Sequence, residues 1–270
     1  GQPDSDKPVA ELWFGAHPGD PSTVDGRLLN EVIAEDPAGQ LGGRVSAEYG
    51  ERLPFLLKVL AAEEPLSLQA HPSKAQAEEG FARENAAGIE LTASNRNYKD
   101  DNHKPELIVA LTDFYAMAGF RPLARTRELF AALECPELDH YVAMLDDDPS
   151  ATTESANLRV LFTTWITIPA AKRKELISAI VAAGERLIAA DPADWKSRVM
   201  STVLDLNQRY PGDIGVLGAL LLNHIELSPG EAVYLDAGQL HAYVSGLGVE
   251  IMANSDNVLR GGLTPKSVSY

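Results

Sequence analysis

Gln69 and His71 stand two residues apart in PLSLQAHPSK, residues 65–74. Strand side chains alternate, so Ser67, Gln69 and His71 share one face while Leu66, Leu68 and Ala70 share the other. Three polar side chains on one face of an apolar strand meet either water or a specific ligand. An i, i+2 pair of this kind can place two donor atoms on one metal ion. Glu106, after Pro105 in NHKPELIV, is a third donor candidate at the start of an apolar strand. A carboxylate there is usually solvated, but a bound cation stabilises it. His241 is a fourth candidate, in SPGEAVYLDAGQLHAYVSG, where Gly238 permits a tight turn and His241 opens the next strand. A lone His between Leu240 and Tyr243 is more often a hydrogen-bonded core residue, so its metal reading leans on the other three. Together the four supply two nitrogens and two oxygens. That mix suits zinc and would also accept manganese, iron or cobalt.

The elements that must position these residues fall into three zones. Residues 1–121 mix short strands, turns and one or two helices. LPFLLKVLAAEEPLSLQAHP holds two apolar runs split by AAEEP, and SKAQAEEGFARENAAG reads as a helix with Ser73 as N-cap. Residues 122–217 carry helical spacing of apolar residues in TRELFAALECPELDHYVAML, ANLRVLFTTWITIP, AAKRKELISAIVAAGERLIAA and WKSRVMSTVLDLNQRYP, and are expected to form an all-helical insertion. No chemistry is visible in that spacing, and its His140 reads as solvated. From 218 to 270 strand runs and Gly/Pro turns return. The expected fold is therefore a mainly β jelly-roll barrel in two parts, with helices hung from it, α+β overall.

The chain has 270 residues, 45% of them hydrophobic and 23% charged, as ordinary globular proteins have. A net charge of −16 with no long Lys/Arg run argues against nucleic acid or an anionic membrane as partner. A small anionic substrate remains open, because a few local cations can hold a phosphate. No apolar run reaches the roughly 18 residues of a membrane span. The single cysteine, Cys135, can form no intramolecular disulfide and reads as a structural thiol, in keeping with a cytoplasmic protein. The abrupt start at GQPDSDKPVAELW and end at LTPKSVSY suggest a fragment.

SPGEAVYLDAGQLHAYVSG resembles the second motif of the cupin jelly roll. SLQAHPSK, NHKPE, GQLHAY and MANSDNVLRGGLTPK, with AELWFGAHP before them, resemble in that order the type I mannose-6-phosphate isomerases, a zinc-dependent cupin family. Each motif alone is modest; five in order are specific. By that resemblance Gln69, His71, Glu106 and His241 hold one zinc ion per chain, and a second, C-terminal cupin domain is missing. The reaction implied is interconversion of mannose 6-phosphate and fructose 6-phosphate through a cis-enediol, by a monomer or weak homo-oligomer.

That reaction assigns further roles. Arg260, in NVLRGG, is similar to the family's active-site arginine and could support the developing oxyanion. Candidates for the proton-transferring base are His103, Lys104, Glu250 and Asp256. Strand alternation puts Lys104 on the face of Glu106 and His103 on the other; a solvated loop lysine is the bland alternative. Asp256 could equally orient Arg260. For the phosphate, Ser73 and Lys74 at a helix start, Ser67 beside Gln69, and Lys266 in LTPK are candidates. A plain N-cap and a surface lysine are the alternatives for Ser73 and Lys74. Trp13 and His17 read as packing or pocket wall, and His224 as structural. Two other functions compete. A cupin oxygenase would want more histidines, and a non-catalytic sugar-binding cupin would be expected to have lost a ligand or Arg260.

Overall fold

FLLKVLAA (Phe55–Ala62) buries Leu56, Lys58, Leu60 and Ala62 and leaves the residues between them more exposed, the two-residue period of a strand with one covered face. Strands of this kind carry the site. The computed structural model describes residues 9–145 and 151–264. Its elements begin with β1 (Glu11–Gly15), a β2–β3 hairpin (Thr23–Val24, Arg27–Leu28) and short helices α1 (Leu29–Glu35), α2 (Pro37–Leu41) and α3 (Gly43–Tyr49). Next come β4 (Phe55–Ala62), β5 (Leu68–Ala70), α4 (Lys74–Ala86), β6 (Glu106–Ala110) and β7 (Phe114–Phe120). Helices α5 (Leu123–Leu133), α6 (Pro136–Val142), α7 (Ala151–Thr167), α8 (Ala170–Ala190), α9 (Trp195–Arg209) and α10 (Ile214–Leu221) follow. The described chain ends with β8 (Leu222–Leu227), β9 (Ala232–Leu235), β10 (His241–Ala253) and β11 (Leu259–Gly262).

Ten helices and one large antiparallel sheet make this a mixed α and β fold among the described residues. The first zone holds four helices rather than one or two. Helices α1 to α3 have five to seven residues each, too short for a helical period to stand out in the sequence. Strand texture resumes at Leu222, after α10, whose eight residues are all buried. A helix apolar on every side belongs in a core. The principal core joins Trp165, Leu161, Ile177, Ile180, Met200, Val203 and Leu217 of the helices to Leu68, Met117 and Ala242 of the strands.

Strand β10 is the hub of the sheet. Its later residues, Gly246 to Ala253, pair with β4, and within that stretch Gly248 to Met252 also pair with β6. Its first residues pair with β5 and β7. Strands β1, β9, β8 and β11 extend these pairings through β4, β6, β7 and β5. A register shift between Tyr243 and Ser245 lets the strand change partners. His241, Ala242 and Tyr243 are all buried before it, the strand being covered on both faces, and only the even positions Gly248, Glu250 and Met252 after it. Gly246 makes the bend possible: its φ is +123°, and a Cβ there would lie 2.7 Å from the Asp113 carbonyl oxygen.

Candidate metal centre

Gln69 lies opposite His241 on one side and Arg260 on the other, so β10, β5 and β11 present these three side chains on one face. His71 follows Gln69 by two residues and is buried. Glu106 opens β6 opposite Met252 and is buried as well. The donor atoms of His71, Glu106 and His241 fall within 4.8 Å of one another.

The hydrogen bonds of the two imidazoles fix their protonation. His71 Nδ1 donates to the Asn257 carbonyl at 3.0 Å, and His241 Nδ1 donates to the Gln239 carbonyl at 2.9 Å. A carbonyl only accepts, so each Nδ1 carries a proton and each neutral ring leaves a lone pair on Nε2. Both Nε2 atoms are buried and lack a hydrogen-bond partner. They sit 3.1 Å and 3.4 Å from the two Glu106 oxygens without the alignment of hydrogen bonds. Lone pairs facing a carboxylate in a buried site repel unless a cation lies between them. Outer hydrogen bonds that orient the rings while freeing Nε2 are what a metal-ligating histidine requires. The three residues therefore fit a divalent cation, and Gln69, in register with His241, is the candidate for a further, neutral donor.

Charge around the cluster is arranged in keeping with that. Burial alone would raise the Glu106 carboxyl, yet it is held well below the usual range, the Lys104 ammonium 3.4 Å away supplying positive charge. Burial lowers His71 and keeps it neutral. Glu250, buried on β10 opposite Lys58, is pushed up to about 7 by burial and then by the Glu106 charge. It accepts a 2.7 Å hydrogen bond from the Tyr243 hydroxyl. Lys58 is buried, reaches Glu11 at 3.2 Å and lies 4.6 Å over the Trp13 ring. Asn257 ties the neighbouring loops together. Its side chain accepts from the Lys99 and Asp100 amides and donates to the Asp100 and Asn102 carbonyls.

The remaining sequence candidates divide. Lys104 is buried beside Glu106, whereas His103 is exposed and takes no part in the cluster. The alternation across Pro105 accounts for both. Asp256 does not orient Arg260: it is half-exposed and meets His17 Nε2 at 3.1 Å, because its loop turns toward β1. Arg260 has no hydrogen-bond or ion-pair partner among the described residues. Ser73 is an N-cap in a full capping box with Gln76. Lys74 is held by the Asp101 carbonyl at 2.7 Å and by Glu78 at 3.3 Å. Ser67 is half-buried just before β5, and Lys266 lies outside the described residues. Sequence reasoning missed Lys58. The signal was there: a lone lysine in the apolar run LPFLLKVLAA, in phase with Leu56 and Leu60.

Comparisons with known proteins point to one group of enzymes. Residues 2–123 match the family described as phosphomannose isomerase type I, catalytic domain. The mannose-6-phosphate isomerase of Escherichia coli K12 is 41% identical, the alignment covering 98% of this chain and 65% of that protein. That of Emericella nidulans is 37% identical over 97% of this chain and 60% of its own length. The fold is similar to the apo crystal structure of the Salmonella typhimurium mannose 6-phosphate isomerase, with a TM-score of 0.83 and 40% identity over 97% of this chain and 64% of that one. A zinc-bound structure of mannose 6-phosphate isomerase gives a TM-score of 0.82 at 40% identity, with the same coverage. The chain thus spans just under two thirds of the length of these relatives.

Proposed function

We propose that this chain is a member of the type I phosphomannose isomerase family and interconverts mannose 6-phosphate and fructose 6-phosphate with one zinc ion. The observation that carries the proposal is the pair of partnerless Nε2 lone pairs aimed at Glu106. Gln69, His71, Glu106 and His241 would hold the ion. When bound, zinc supplies Lewis-acid polarisation of the sugar oxygens, which makes the C2 proton removable.

The protein's own groups then have definable tasks. In an aldose–ketose isomerisation a base takes the C2 proton and returns it at C1, through a cis-enediol. Of the candidates for that transfer Lys104 and Glu250 are the buried ones and would serve it, and Lys58 faces Glu250 across the strand pair. Arg260, free of partners beside Gln69, would meet developing negative charge with a fixed positive one. Burial of the cluster limits water and strengthens each of these interactions. His103 and Asp256, exposed or engaged elsewhere, are weaker candidates. For the phosphate, Ser67 and Lys74 remain candidates, with Ser73 primarily a cap.

The fold fits a cupin reading in which β1, β4 to β7 and β8 to β11 form a jelly roll, divided as residues 1–121 and 218–270 around a helical insertion at 122–217. No helix among the described residues is long and apolar enough to cross a membrane. We place the enzyme in the cytoplasm as a monomer or weak homo-oligomer. The test is an isomerase assay on mannose 6-phosphate, before and after chelation and with zinc restored. Turnover that disappears with chelator and returns with zinc is expected. A folded, zinc-loaded protein without turnover would overturn the proposal for this chain.

A further inference from the structure

A cavity of about 710 Å³ opens on the opposite face of the strands that carry His241. Tyr115 on β7 pairs with Glu226 on β8 and Ser245 on β10, and all three line it. His241 and Tyr243 pair instead with Ala118 and Ala116, the alternate residues of β7, and face the metal cluster. The sheet itself therefore separates the two sites. Helices α5 and α9 close the cavity with Arg125, Trp195, Arg198 and Thr202.

Three arginines and one glutamate line this space, in a chain of net charge −16. Arg121 is 5% exposed; it donates to the carbonyls of Leu220 and Leu222 at the end of α10 and has no carboxylate partner among the described residues. Arg125 lies 4.0 Å over the Trp195 ring, with Arg121 5.6 Å from the same ring. The two guanidinium groups repel: burial, then Arg125, lowers Arg121 to about 10. Arg125 meets Glu128 at 3.5 Å and Arg198 meets Glu226 at 3.7 Å, with all four side chains half exposed or more, so these pairs neutralise little. Three arginines against one lining carboxylate, beside an indole, an exposed phenol and the apolar walls of Pro122, Val199 and Val244, make a setting that suits an anion. The volume is that of a small-metabolite site.

We propose that this cavity binds a small organic anion with a flat ring, of the size and chemistry of a nucleoside monophosphate, its phosphate on Arg125 and Arg198. Its ring stacks against Tyr115 and the apolar wall. Arg121 keeps its capping role and contributes charge from below.

The test is calorimetric titration of the whole chain with adenosine monophosphate and, separately, with inorganic phosphate. The expected result is saturable binding of the nucleotide, weaker binding of phosphate alone, and at least about tenfold loss of nucleotide affinity in Arg125→Gln/Arg198→Gln. Saturating mannose 6-phosphate should leave that affinity unchanged. The proposal is overturned by no binding up to about 10 mM nucleotide, by binding indifferent to the double substitution, or by displacement of the nucleotide with the sugar phosphate. Equal affinity for phosphate and nucleotide would overturn the assignment of the flat ring.

Discussion

The two faces of one sheet solve opposite electrostatic problems. Inside, Glu106 and two bare imidazole nitrogens converge, electron pair against electron pair, a donor set that suits a cation. Outside, Arg121 and Arg125 converge on Trp195, with Arg198 lining the same cavity, and that charge suits an anion. The difference lies in how each set is held. Gln69, Glu106 and His241 sit on strands whose register leaves no freedom, His71 follows β5 directly, and each ring is fixed by a backbone carbonyl. The outer cations sit on helices and are half-exposed, apart from Arg121. Strongly held, buried donors suit a permanent ion; loosely held, partly hydrated cations suit a ligand that comes and goes.

That contrast can be broken most directly at its buried end. Glu106→Gln removes the only carboxylate of the inner set, and turnover should fall by more than about a hundredfold, with zinc lost on dialysis. Steady-state kinetics and metal analysis check this. A smaller effect concerns His224, whose Nε2 donates to the Ala219 carbonyl at 2.9 Å on the outer side. Burial lowers its pKa from 6.5 to about 4. The unfolded chain therefore takes up this proton first as pH falls, and stability drops between those two values. The loss is at most about 3 kcal/mol, less for the part of the ring that faces the water-accessible cavity. Urea midpoints at pH 7 and pH 4.5 should converge when His224→Gln is compared with the original chain. Smaller again, Asn257→Ala leaves the carbonyl that holds His71 but releases the loops that aim it. Zinc affinity should fall about tenfold, with about 1–3 kcal/mol of stability, by zinc titration and urea unfolding. The smallest change is Ser73→Ala, which removes a cap worth about 1 kcal/mol at the start of α4. A midpoint shift of that size should appear, with kcat unchanged.

The inner face could be read from the sequence because alternation is a local rule. Gln69 and His71 share a face by parity, and so do Lys104 and Glu106. Parity failed to connect His241 with Glu250, since the register shift between Tyr243 and Ser245 breaks the two-residue period between them. Asp256 was paired with the wrong partner because a loop's direction is set by distant contacts, here with His17. Lys58 was readable by the same parity and was overlooked in an apolar run. The outer cavity was not readable at all. Its residues come from α5, α9, β7, β8 and β10, and the helical pattern that places Arg125 and Arg198 looks like any solvated face.

The central claim is that the inner donors are built for one ion. Zinc titration of the chelator-stripped, folded chain tests it directly, beside His241→Ala. The account predicts one zinc per chain, with that site lost in the variant. A folded chain that binds no zinc, or a variant that binds it equally well, would contradict it.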